Sequence, residues 1–129
     1  MTREERDELS NRIIGACIEV HRELGPGLLE SVYEACVMDE FPRHGIHARS
    51  QVCLPIHYKG KKLAKEFKID ILAEEEIVIE LKSIAVILPI HEEQLLTYLK
   101  LANKRLGLLI NFNVELLKQG IRRKINGYD

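Results

Sequence analysis

With 129 residues, 46% of them hydrophobic, the chain is long enough for one buried core and short for two, so a single domain over residues 1–129 is expected. Its 19 basic and 20 acidic residues leave a net charge of −1, which excludes a global basic field and leaves nucleic-acid binding to a local patch. Cys17, Cys36 and Cys53 are odd in number and show no CxxC spacing, which argues against a disulfide framework and a zinc site and for a reducing, cytoplasmic setting.

The start, MTREERDELSNR, is charged throughout, and no window approaches the roughly 18 apolar residues of a membrane span, so no membrane partner is expected. Residues 1–10 read as a loosely ordered start. Leu9, Ile13, Ala16, Cys17, Val20 and Leu24 then recur at helical spacing and predict an amphipathic helix over about 7–24. Gly25-Pro26-Gly27 breaks it. A second helix is expected over about 28–43 with the stripe Leu29, Val32, Tyr33, Cys36 and Val37, Glu30 and Glu34 lying at its edge or opposite side and Pro42 fraying its end.

From Ala48 the period becomes two. Val52, Leu54 and Ile56 alternate with Cys53, Pro55 and His57, a strand that Pro55 confines to an edge or a bulge. A turn at Tyr58-Lys59-Gly60-Lys61 leads to strands over about 62–72 and 76–84, joined by the solvated acidic turn Glu74-Glu75-Glu76. The third strand is apolar on both faces except at Glu80, which marks it as central. Residues 84–90 read as a loop, about 90–102 as a helix ending at Asn103-Lys104-Arg105, and Leu106 to Phe112 as a buried strand pairing in parallel through that helix. The tail, 114–129, is read as a short helical turn plus an edge strand.

Chemistry concentrates in FKIDILAEEEIVIELKS, residues 67–83. Residues two apart on a strand share a face, so Glu80 and Lys82 point the same way, and a turn centred on Glu75 brings Asp70 opposite Glu80. Two carboxylates so placed repel unless a divalent metal ion, a nearby lysine or proton sharing compensates them. Alone, such a short pattern also arises as an ordinary cross-strand ion pair. Gln94 and Tyr98, one turn apart on a helix, can both donate to one phosphate or carboxylate, while His91 reads as a surface or capping residue. The lysines at 59, 61, 62, 65 and 68 could steer a polyanion or form the wet face of an edge strand.

The order Gly27-x-x-Glu30-x-x-Tyr33, Asp70, Glu80-x-Lys82, Gln94-x-x-x-Tyr98 and LGLLINFN resembles the small bacterial GxxExxY family of the PD-(D/E)XK nuclease superfamily, from about Asn11 to Tyr128. The resemblance implies an α/β (α+β), restriction-endonuclease-like α-β-β-β-α-β core with a mixed central sheet. It implies metal ligands at Asp70, Glu80 and the Leu81 carbonyl, a catalytic lysine at Lys82, an acid on the first core helix at Glu30, and substrate positioning by Gln94 and Tyr98. The residue before Asp70 is Ile69 where the superfamily's name has proline. The implied activity is Mg²⁺- or Mn²⁺-dependent hydrolysis of phosphodiester bonds in nucleic acid, DNA ahead of RNA, with a homodimer as a further expectation. The alternative is a nuclease-like fold retained as a non-catalytic binding or assembly module.

Overall fold

The computed structural model describes residues 1–127. Helix α1 (Arg3–Leu24) opens on a capping box in which the Glu5 N–H donates to Thr2 Oγ1 at 3.1 Å and the Thr2 N–H donates to Glu5 Oε1 at 2.9 Å. The expectation of a loose start over residues 1–10 is therefore corrected: the cap starts the helix at Arg3, and the buried Leu9 and Ser10 tie it to the body. Helix α2 (Glu30–Glu40) is shorter than its pattern suggests, because a 3₁₀ turn, Phe41–His44, containing Pro42 replaces its last turn. Tyr33 secures the loop between the helices. Its hydroxyl donates to the Gly25 carbonyl and accepts from the Leu28 N–H, while its buried ring stacks on Phe112 with centroids 4.4 Å apart.

Five strands follow in simple order: β1 (Ala48–Tyr58), β2 (Lys61–Ala73), β3 (Ile77–Lys82), β4 (Leu106–Asn111) and β5 (Ile121–Ile125), with α3 (Pro89–Ala102) between β3 and β4. Neighbours are antiparallel except β3 and β4, whose parallel pairing needs the α3 crossover. β3 is the middle strand, as its two-sided apolar pattern predicts. The tail forms a 3₁₀ turn, Leu117–Gly120, and the edge strand β5; its last two positions, 128 and 129, lie outside the described residues. One core, with Leu9, Ile13, Tyr33, Val37 and Phe112, lies between the sheet and α1/α2. The other, with Val78, Leu95, Leu99 and Leu109, lies under α3. No helix among the described residues is long and apolar enough to cross a membrane.

One irregularity in the sheet bears on the site. Ile69 and Ile71, two apart on β2, should share a face, yet Ile69 packs under α3 and Ile71 under α1/α2. On β1, Ala48 and Val52 divide the same way. Both strands therefore switch faces between the pairs Ser50↔Ile71 and Val52↔Ile69, where Gln51 adopts φ 51° opposite Asp70. A left-handed backbone at a residue with a Cβ costs about 1–2 kcal/mol, and the surrounding structure holds it in place.

Candidate metal centre

The β2–β3 ladder runs from Ala73↔Ile77 through Leu72↔Val78 to Ile71↔Ile79 and then ends. Asp70 and Glu80 occupy the next register position, where the strands part into a fork. Side chains take over the hydrogen bonding there: the Asp70 N–H donates to Glu80 Oε1 at 3.2 Å and the Leu81 N–H donates to Asp70 Oδ2 at 2.8 Å. A residue's N–H and C=O point to the same side of a strand, so the Leu81 carbonyl faces the Asp70 edge too. The Lys82 carbonyl faces the other way and accepts from the Phe112 N–H.

Glu80 is only 5% exposed, and burial pushes its carboxyl up to about 8. The Asp70 charge adds to that rise, as does a smaller contribution from a side-chain hydrogen bond with Asp70, while the bond from the Asp70 N–H and then the Lys82 charge oppose it. The Tyr98 hydroxyl is raised by burial first and then by the charges of Glu80 and Asp70. Four of the predicted residues, from two strands and a helix, thus share one electrostatic neighbourhood. Tyr98 lies beneath Phe67 of β2 with ring centroids 5.4 Å apart, which fixes its ring beside the fork.

Gln94 lies one turn before Tyr98 on α3 and is exposed. Glu30 is the first residue of α2, exposed in a shallow depression with Leu28, Ser31 and Ser83. Among the described residues no hydrogen bond or ion pair joins Gln94 or Glu30 to Asp70 or Glu80. The helix acid that reaches the fork is Glu34: its carboxyl is raised by burial, lowered by the bond from Gln51, and raised by the Asp70 charge. Gln51 Nε2 donates to Glu34 Oε1 at 2.8 Å, so the face switch on β1 is tied to the acid on α2. The sequence signal for Glu34 was its place one turn after Glu30 and next to the buried Tyr33. His91 is a capping residue, its Nδ1 accepting the Leu88 N–H at 2.9 Å.

A family model described as the PD-(D/E)XK nuclease superfamily matches residues 7–124. The chain belongs to the PD-(D/E)XK nuclease superfamily. Its three helices and five-stranded mixed sheet are the α+β, restriction-endonuclease-like fold of that superfamily. Comparisons with curated proteins and with solved structures give no match.

PD-(D/E)XK nucleases typically use divalent metals. The donor set fits one: two carboxylates whose charges repel at the fork, beside a backbone carbonyl, are hard oxygen ligands. Mg²⁺ takes such sites with one or two carboxylates and keeps several waters. Among the described residues no third His, Cys, Asp or Glu completes a ligand cluster with them.

Proposed function

We propose that the chain is a metal-dependent nuclease of the GxxExxY type, acting on phosphodiester bonds in DNA with Mg²⁺ or Mn²⁺ and working as one domain, and as a homodimer, in the cytoplasm. The observation that carries the reading is the fork itself: a buried glutamate and an aspartate in mutual repulsion, with a lysine and a tyrosine in the same field. Asp70, Glu80 and the Leu81 carbonyl hold the cation. When bound, it lowers the pKa of a ligated water and polarises the phosphoryl group. Lys82 stabilises the negative charge that builds on the phosphoryl oxygens, and its attraction already opposes the rise of Glu80. Gln94 and Tyr98 line up along α3 to hold the substrate backbone, Tyr98 as a neutral donor, since its hydroxyl is raised. Glu30 or Glu34 supplies the acid on α2; Glu34 has the stronger geometric case because it accepts from Gln51, which lies opposite Asp70 on β1.

The test is cleavage of duplex and single-stranded DNA and of RNA with Mg²⁺ or Mn²⁺, comparing wild type with Glu80→Ala and Lys82→Ala. Wild-type cleavage that both variants lose supports the reading. Equal activity in all three, or no cleavage by wild type with any polymer or metal, overturns it and leaves the non-catalytic module.

A further inference from the structure

The β1–β2 hairpin extends well past the rest of the sheet. β2 is paired with β3 in the backbone ladder only from Ile71 to Ala73, and Asp70 meets β3 through side-chain hydrogen bonds alone, so the ladder leaves Lys61 to Ile69 beyond it. β1 is an edge strand. Residues 52–69 therefore form a two-stranded arm, about 20 Å long at roughly 3.3 Å per residue over Val52 to Tyr58. Its base is anchored, because Val52, Leu54, Phe67 and Ile69 pack under α3. Its outer half is exposed on both faces from Lys61 to Glu66. The tip closes on the tight turn Lys59-Gly60, with φ 51° and 79°, and a register shift between Pro55 and His57 increases the twist.

Charge is segregated onto this arm. It carries five lysines, Lys59, Lys61, Lys62, Lys65 and Lys68, against Glu66, a net of +4, so the remainder of the chain carries −5 of the total of −1. All five lysines are exposed. An isolated two-stranded ribbon is marginal in water and gains nothing for the core from a polar outer half, so the body alone does not account for this extension. The arm also leaves the sheet at the fork, since Phe67 touches Tyr98 and Asp70 is the residue at which β2 parts from β3.

We propose that the arm is a duplex-DNA grip whose lysines bind the phosphate backbone and lead the strand to the Asp70–Glu80 fork. The proposal rests on the nuclease reading for what happens at the fork, and on the arm alone for binding. A two-stranded ribbon fits the roughly 12 Å major groove of B-form DNA, whereas the deep, narrow major groove of A-form RNA excludes it. Single-strand binding calls for stacking platforms. The arm's exposed aromatic, Tyr58, has Lys59 over its ring at 5.4 Å, so a cation already lies against one face of it.

The experiment measures binding of a fluorescent duplex-DNA oligonucleotide to the full chain in EDTA across a salt series. It compares wild type with the triple variant Lys61→Gln/Lys62→Gln/Lys65→Gln and with a control triple, Arg3→Gln/Lys100→Gln/Lys118→Gln, that removes the same charge elsewhere. Each lost phosphate contact lowers the slope of log K against log salt by about 0.9. The arm variant is expected to lose between two and three from the slope and more than tenfold in affinity, the control less than threefold. Equal losses in both triples, an unchanged arm variant, tighter binding of single strands or duplex RNA than duplex DNA, or no wild-type binding overturns the grip. Because EDTA removes chemistry, the two readings fail separately. Arm-dependent binding without Mg²⁺ cleavage refutes the nuclease alone, and cleavage indifferent to the arm lysines refutes the grip alone.

Discussion

Glu80 lies in an environment that disfavours its charge, and the consequence for pH can be worked out. Its folded value of about 8 stands above the ordinary 4.5, so its contribution to stability is fully present below about pH 4.5 and is lost as pH rises through about 8. Gln mimics the protonated carboxyl in shape and hydrogen bonding. In EDTA, Glu80→Gln should melt within a degree or so of wild type near pH 5 and progressively above it toward pH 9; parallel melting curves across that range would contradict the burial argument. At Tyr98, Phe keeps the packing against Phe67 and removes only the hydroxyl. Tyr98→Phe should change stability by about 1 kcal/mol or less, and lower kcat/KM for DNA cleavage roughly fivefold to tenfold, the value of one hydrogen bond. Thermal melts and steady-state kinetics on the same preparation check both halves. The residues at the fork were legible because a period of two and a turn at Glu75 determine who faces whom. Glu34 was not, because its approach to Asp70 depends on how the Gly25-Pro26-Gly27 loop sets α2 against the sheet, which no local pattern encodes.

The elements were largely legible as well. Helical stripes, the two-sided apolar run of β3 and the Pro55 irregularity each follow from side-chain periodicity or backbone chemistry within a few residues. The face switch at Gln51 was not, since nothing in RSQVC replaces a residue with Gly or otherwise advertises a left-handed backbone. Helix α3 has its own constraint from β4. A Cβ added at Gly107 would meet Leu95 Cδ1 at 2.8 Å and Cγ at 3.1 Å, so this glycine sets how closely the helix lies on the sheet. Gly107→Ala should cost about 1–3 kcal/mol by overpacking. It should also reduce cleavage more than Tyr98→Phe does, because lifting α3 moves Tyr98 and Gln94 together. Denaturant midpoints and cleavage rates for the two variants decide this; a Gly107→Ala protein of wild-type stability and rate would show that the contact is soft.

At the scale of the whole molecule, the two cores share a single sheet, and the fork opens between elements that both cores position. A cation binding only the folded chain stabilises it all at once. At tenfold above its dissociation constant, Mg²⁺ should add about 1.4 kcal/mol and raise the melting temperature by about 5 °C. Glu80→Ala should show no such shift, and a wild-type melt that ignores Mg²⁺ and Mn²⁺ at pH 8 would contradict the ligand assignment. Competition between a proton and the cation for Glu80 makes the shift larger at pH 8 than at pH 6.

The amides of Asp70 and Leu81 donate to the two carboxylates of the fork, so each reports electronically on its partner's state. In an amide NMR spectrum these two resonances become internal indicators: the Asp70 amide should titrate with Glu80, and both should move on addition of a diamagnetic cation. A site otherwise inferred from catalysis can then be read in a protein that is not turning over.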